Sequence, residues 1–193
     1  MTIETGVPRS DGIIHTFADD CQSASQPRDV MYDLRTHQIL EILPHRFPFL
    51  LVDRIVELHP LERILGYKNV SFNEPVLRGH FPDNPEFPNI YIIEALAQLA
   101  GCIVLEPGQF WKNPPYLTGI DKARFLRPVV PGDRLMMDVR MGGHRRNIFW
   151  MSGVAIVDDE IACTADLKFV VTPGQDARLA PESELLDQDL VQR

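Results

Sequence analysis

A glutamate, a glutamine and a glycine interrupt an otherwise apolar stretch of this chain, IYIIEALAQLAGCIVL at residues 90–105. Glu94 and Gln98 are four apart and Gly101 follows three later, so in a helix all three share one face. A carboxylate among apolar side chains is costly unless paired or neutral, and burial raises a carboxyl pKa. A neutral carboxyl is what a general acid needs, with useful values of about 6–7. Gly101 leaves backbone uncovered on the same face, where a ligand carbonyl has room to approach its N–H. The plainer alternative is a buried glutamate satisfied by an arginine, with a glycine that lets a strand pack close. His80 lies in the turn-rich string Arg78-Gly79-His80-Phe81-Pro82 ahead of this stretch. Histidine is the usual proton acceptor near pH 7, although a lone loop histidine is more often structural or simply exposed. Taken together, a base, an acid and an oxyanion donor are the parts for removing a proton alpha to a carbonyl and expelling a beta-hydroxyl.

Those residues need a frame. The stretch itself reads as a helix apolar nearly all round, hence buried on every side. Pro88 suits its first turn, Asn89 signals its start, and Pro107-Gly108 ends it. Before it, residues 36–43 read as a short helix capped by Thr36 and stopped by Pro44. Strands are expected at 50–58, 63–72, 116–125, 134–141, 147–157 and 161–171, with turns at His59-Pro60-Leu61-Glu62, Pro131-Gly132-Asp133, Gly142-Gly143-His144 and Asp158-Asp159-Glu160. In the last strand Ile161, Cys163, Ala165, Leu167, Phe169 and Val171 alternate on one face. One buried helix with about six antiparallel strands gives an α+β layout, a sheet curled around the helix.

Composition sets the outer bounds. The chain has 193 residues, 45% apolar and 24% charged, with net charge −8, as expected of a globular domain. The charge argues against nucleic acid. It is also concentrated at the ends: residues 1–30 and 174–193 each hold five acids and two bases. The ends therefore read as solvated extensions, 1–35 and 174–193, around a nearly neutral domain at 36–173. No apolar run is long enough to span a membrane, and no secretory signal opens the chain. Cys21, Cys102 and Cys163 have neither metal nor disulfide spacing, which fits a reducing cytoplasm.

Three blocks carry a family resemblance. LPHRFPFLLVDRI (43–55), GHFPDNPEFPNIYIIEALAQLAG (79–101) and GIDKARFLRPVVPGD (119–133) resemble, in the same order, the signature segments of beta-hydroxyacyl-ACP dehydratases of the FabZ type. The likeness spans about residues 36–172. It implies a hot-dog fold and the conversion of (3R)-3-hydroxyacyl-ACP thioesters to trans-2-enoyl-ACP plus water. His80 would be the base and Glu94 the acid. Gly101 would be the oxyanion donor, and Gln98, Gly79 and Phe81 would contribute to substrate binding. No metal, flavin or nicotinamide is implied. The implied partners are an acyl carrier protein and a second copy of the chain, with His80 and Glu94 meeting across a dimer that is often built into a hexamer. Lys122, Arg124 and Arg127 would form the docking patch for the acidic carrier, while Arg145 and Arg146 read as a solvated turn. This sequence departs from the family pattern at Asn89 and Asp83, where glycine is usual, and at Glu86, where an apolar residue is usual.

Rival readings keep the fold and change the chemistry. The chain could be a thioesterase or a hydratase acting on CoA thioesters, and a thioesterase would use its carboxylate to activate water. The isomerising branch of the family usually carries Asp at that position. A non-catalytic acyl-binding or scaffold subunit is a third possibility. A metal site built from His45, His80 and His144 matches no standard ligand spacing.

Overall fold

A computed structural model gives residues 33–80, 83–105 and 113–172 of the chain. The order is β1 (Leu34–Arg35), α1 (Thr36–Ile42), β2 (Arg54–His59), β3 (Arg63–Asn69), a single 3-10 turn at Pro75–Leu77, α2 (Asn89–Val104), β4 (Pro115–Phe125), β5 (Arg134–Arg145), β6 (Ile148–Val157) and β7 (Glu160–Val171). The seven strands form one sheet in the order β1-β2-β3-β5-β6-β7-β4, and every neighbouring pair is antiparallel. The sheet wraps α2, giving the hot-dog α+β architecture. The extensions before residue 33 and after residue 172, with Cys21, lie outside the described residues, as do Pro107 and Gly108.

Helix α2 is central because its sequence leaves no face for water. Ile92, Leu96 and Leu99 are fully buried, in one core cluster with Ile55, Ile64, Leu135, Met137 and Ala155 of the sheet. Each such side chain contributes roughly 1.5–3 kcal/mol through removal from water. Two strand glycines bring the helix close. A Cβ on Gly66 would lie 2.7 Å from Arg54 O and 2.8 Å from Leu99 Cδ1, and one on Gly153 would lie 3.2 Å from Leu96 Cδ2.

The structure departs from the sequence expectations at several element ends. A seventh strand exists because Leu34 and Arg35, counted with the extension, pair with Ile55 and Arg54. Helix α1 is capped by Arg35, not Thr36. The Thr36 hydroxyl donates instead to Asp53 O at 2.9 Å, and Gln38 Oε1 accepts the Arg35 N–H at 3.0 Å. Pro88 is the cap of α2 and Asn89 its first residue, the reverse of the expected roles. Gly142-Gly143-His144 is no turn. The strand runs through it with a bulge between Met141 and Gly143, and His144 stacks on Phe149 at 5.5 Å. The reversal comes after Arg145, where Arg146 takes a positive φ of 56°. Residues 50–53 are not strand, because Leu51 N–H is held by a side chain of α2 rather than by a neighbouring strand.

Candidate active site

Glu94 and Gln98 stand one turn apart on α2, as the spacing requires. Gln98 is 2% exposed and fully bonded. Its Nε2 donates to Glu94 Oε1 at 2.8 Å and to Phe49 O at 2.8 Å. Its Oε1 accepts the Leu51 N–H at 2.8 Å. One amide therefore clamps the 49–51 segment onto the helix and orients the carboxyl. A buried amide can do this only because every donor and acceptor it presents inward is matched. No arginine pairs with Glu94 among the described residues, so the plainer reading of this glutamate does not hold.

The clamped segment brings a second group with it. His45 Nε2 lies 3.6 Å from Glu94 Oε1, each side chain being 28% exposed. Burial pushes the His45 pKa below its ordinary 6.5; the Glu94 carboxylate opposes that shift and the Arg46 guanidinium reinforces it. The imidazole is therefore neutral at neutral pH. Phe49 packs against it at 5.9 Å between ring centroids, and Tyr91 meets Phe49 edge-on at 5.7 Å. Arg46 fixes the approach to this loop. Its guanidinium donates to Leu40 O at 3.1 Å, Leu43 O at 2.8 Å and His45 O at 2.8 Å, satisfying carbonyls at the end of α1. Sequence reasoning weighed His45 only as a metal ligand and missed this placement, which arises from a contact across the fold.

A cavity of about 260 Å³ opens at these residues. It is lined by Glu94, Ala97, Gln98 and Gly101 of α2, by Leu43 and His45 of the segment after α1, and by Pro115, Tyr116, Leu117 and Phe169 of the sheet. Gly101 has no packing reason to be glycine. A Cβ there would meet Leu43 Cδ2 at 3.6 Å and Leu105 Cδ1 at 4.0 Å, both ordinary contacts, so a methyl fits without displacing its neighbours. Gly101 lies inside α2, where each N–H donates to the carbonyl four residues earlier. Seven residues also separate it from Glu94, about 10 Å along the axis at ~1.5 Å per residue.

His80 is presented separately. The 3-10 turn at Pro75–Leu77 leads into it, with Leu77 buried and the His80 N–H donating to Leu77 O at 3.2 Å. Gly79 takes φ +76° with nothing within 4 Å of a would-be Cβ, a left-handed turn conformation that favours glycine. The turn is anchored by Lys68, a 5%-exposed lysine on β3 whose Nζ meets Glu74 Oε1 at 2.7 Å. His80 is not among the residues lining the Glu94 cavity. Phe81 lies outside the described residues. Glu86 accepts a 2.8 Å bond from Asn84 within its own loop and does not line the cavity either.

The expected basic patch is largely spent within the protomer. Lys122 pairs with Asp166 at 2.8 Å, and Arg127 with Glu160 at 3.1 Å and Asp133 at 3.7 Å. Arg124 is exposed and in no ion pair among the described residues. Cys102 and Cys163 are buried, and burial pushes both thiols up to about 12, which removes them as nucleophiles. Among the described residues no three His, Cys, Asp or Glu side chains are placed to hold a metal ion, and no helix is long and apolar enough to cross a membrane.

Comparison with known proteins bears on the same segments. The family model of the FabA-like domain matches residues 43–166. The chain is 49% identical over 132 residues to a protein named 3-hydroxyacyl-[acyl-carrier-protein] dehydratase FabZ from Symbiobacterium thermophilum, covering 68% of this chain and 93% of that one. It is 48% identical over 142 residues to the protein of the same name from Yersinia enterocolitica, covering 70% and 82%. Two solved structures share the fold at low identity. A sigma28-regulated virulence protein of Campylobacter jejuni aligns with TM-score 0.56 and 14% identity, over 71% of this chain and 89% of that one. An uncharacterized protein of Pyrococcus horikoshii aligns with TM-score 0.55 and 13% identity, over 74% and 95%.

Proposed function

This chain belongs to the FabA-like domain family, in its FabZ-type dehydratase branch, and from that premise we propose that it removes water from 3-hydroxyacyl thioesters carried on acyl carrier protein, in the cytoplasm, during acyl-chain synthesis. The observation that carries this reading is the carboxyl of Glu94, set in a cavity beside an apolar wall with one oxygen already bonded by Gln98. Its other oxygen is left to hold the acid proton.

The proposed roles rest on proton accounting. His80 takes the alpha proton. Glu94 gives its proton to the beta-hydroxyl, the C–O bond breaks, and water leaves. A general acid and a general base each supply roughly 10²–10⁴-fold. Dehydration is redox-neutral overall, so the step calls for no redox cofactor. The enolate-like oxygen falls to the open end of α2. There the N–H groups of Asn89 and Ile90 precede the first helical hydrogen bond, Tyr91 N–H to Pro88 O at 2.8 Å. Beyond the reacting carbons the acyl chain follows Ala97 and Gly101.

A second copy of the chain completes the site. Strand β4 is an edge strand, paired only with β7. It exposes Tyr116, Leu117, Ile120 and Phe125 by 36–49%, an apolar edge that soluble proteins normally cover. Tyr116 and Leu117 also wall the cavity, so a protomer docked on β4 encloses the substrate. In this reading it also supplies the partner subunit's His80 to a cavity that His80 of the same protomer does not line. Assembly of such dimers into a trimer belongs to the same reading.

The test offers a 3-hydroxyacyl-ACP and follows enoyl absorbance and free thiol together. Enoyl without thiol is expected, and thiol release points to a thioesterase. His80→Ala and Glu94→Gln should each be inactive as folded oligomers. Mixed and re-equilibrated, they should recover about a quarter of parental activity, because half the dimers then carry one intact composite site. No recovery on mixing overturns the shared site.

A further inference from the structure

We propose that His45 is a positioning residue for the acid, its Nε2–H closing on Glu94 Oε1 as that carboxyl surrenders its proton. The inference rests on the dehydratase reading above and deepens it. Three observations carry it. The Nε2 atom already faces Glu94 Oε1 at 3.6 Å, beyond a formed hydrogen bond but within one small displacement of it. Catalytic contacts that are long in a free site commonly tighten in the reacting complex. His45 Nδ1, in turn, is buried with no hydrogen-bond partner among the described residues. A proton there would have no acceptor, so the neutral ring carries its hydrogen on Nε2, toward Glu94. Finally, Gln98 approaches the same Oε1 from the helix side at 2.8 Å. With two donors converging on Oε1, the acid proton resides on Oε2, the oxygen left for the substrate hydroxyl.

The energetics favour the transition state over the ground state. Protonated Glu94 attracts a neutral N–H weakly. When its proton passes to the departing hydroxyl and the C–O bond breaks, full carboxylate charge appears beside a donor already aimed at it. His45 itself neither gains nor loses a proton. Desolvation keeps it neutral against the pull of Glu94, with Arg46 helping. The ring therefore acts as a fixed dipole rather than a second titrating base competing with His80.

The experiment compares His45→Met, which fills the same space without a donor, with His45→Gln, whose amide N–H reaches to a similar point. The expected result for His45→Met is a fall in kcat of about 10- to 100-fold with KM little changed, and for His45→Gln recovery of most of that loss. Equal kcat in the two variants, or a change confined to KM or to melting temperature, overturns the proposal and makes His45 a wall residue. Loss in His45→Met as complete as that expected for His80→Ala, with His80→Ala still active, overturns it in favour of His45 as the base. The second measurement needs no turnover: ring 15N shifts of His45 in the parent and in Glu94→Gln. An Nε2–H tautomer whose shift responds to Glu94→Gln supports the proposal, and an Nδ1–H tautomer overturns it. If the parent protein forms no enoyl product, the dehydratase reading fails while the nitrogen shifts still decide the contact.

Discussion

Gln98 holds Glu94 through a 2.8 Å hydrogen bond from one turn further along the same helix, and the same amide carries the backbone of Phe49 and Leu51. The acid and the loop bearing His45 are thus set by a single side chain. Gln98→Leu keeps the volume and removes all three bonds. It should destabilise the fold by about 1–3 kcal/mol for each backbone group left unsatisfied. Activity should fall further than stability alone accounts for, since Glu94 then loses its orientation. Urea denaturation beside kcat on the still-folded fraction separates the two effects.

Gly101→Ala should separate them in the opposite sense. The new methyl meets Leu43 at an ordinary contact distance and improves helix propensity by up to about 1 kcal/mol. The melting temperature should hold or rise. Turnover of long acyl chains should drop while short chains are spared, which a series of acyl-ACP lengths would reveal. Equal loss at every length would place Gly101 outside the chain path.

Lys68 and Glu74 form a nearly dry ion pair beneath the His80 turn, with side chains 6% and 15% exposed. Lys68→Met strands a buried carboxylate and should cost about 3–5 kcal/mol. The double variant Lys68→Met with Glu74→Leu should recover much of that stability. A thermodynamic cycle from denaturant melts measures the coupling, and a coupling near zero would mean that the pair does not anchor the turn.

Acid should weaken the fold partly through His45. Its pKa is lowered in the folded protein, so the unfolded chain takes up a proton near the ordinary histidine value while the folded chain resists it. Stability is full above that value and declines as pH falls toward the lowered one. Between pH 7 and 5 the melting temperature of the parent should fall more steeply than that of His45→Gln. Glu94 opposes the decline and Arg46 adds to it, so Arg46→Met should flatten the slope as well.

Much of the architecture could be read from residue order. The apolar helix, the i, i+4 placement of Glu94 and Gln98, and the alternation of β7 from Cys163 to Phe169 are local patterns, and they survive folding; at the start of β7 the alternation breaks, because the ladder slips at Ala162 and buries it beside Cys163 while Ile161 stays half-buried. What could not be read depends on partners far along the chain. Leu51 looks like strand, yet its N–H belongs to Gln98, forty-seven residues away. His45 belongs to the site only because that same clamp returns the loop to the helix. Gly142 and Gly143 carry turn residue types, but Trp150 and Phe149 across the ladder hold the strand open. The resemblance gives Gly101 the role of donor; the N–H groups that α2 leaves open stand at its start, which is why the proposed mechanism turns to Asn89 and Ile90.

The contact at Gly66 reaches beyond packing. With the backbone oxygen of Arg54 on one side and Leu99 on the other, even a methyl at position 66 would force α2 and its sheet to shift. Under the dehydratase reading, that close seat makes the rod the conserved side of the chamber. Any widening of the range of chains accepted has to come from its removable side, the β4 wall and whatever docks there, so selection for new substrates should leave its traces in that strand and not in the rod behind it.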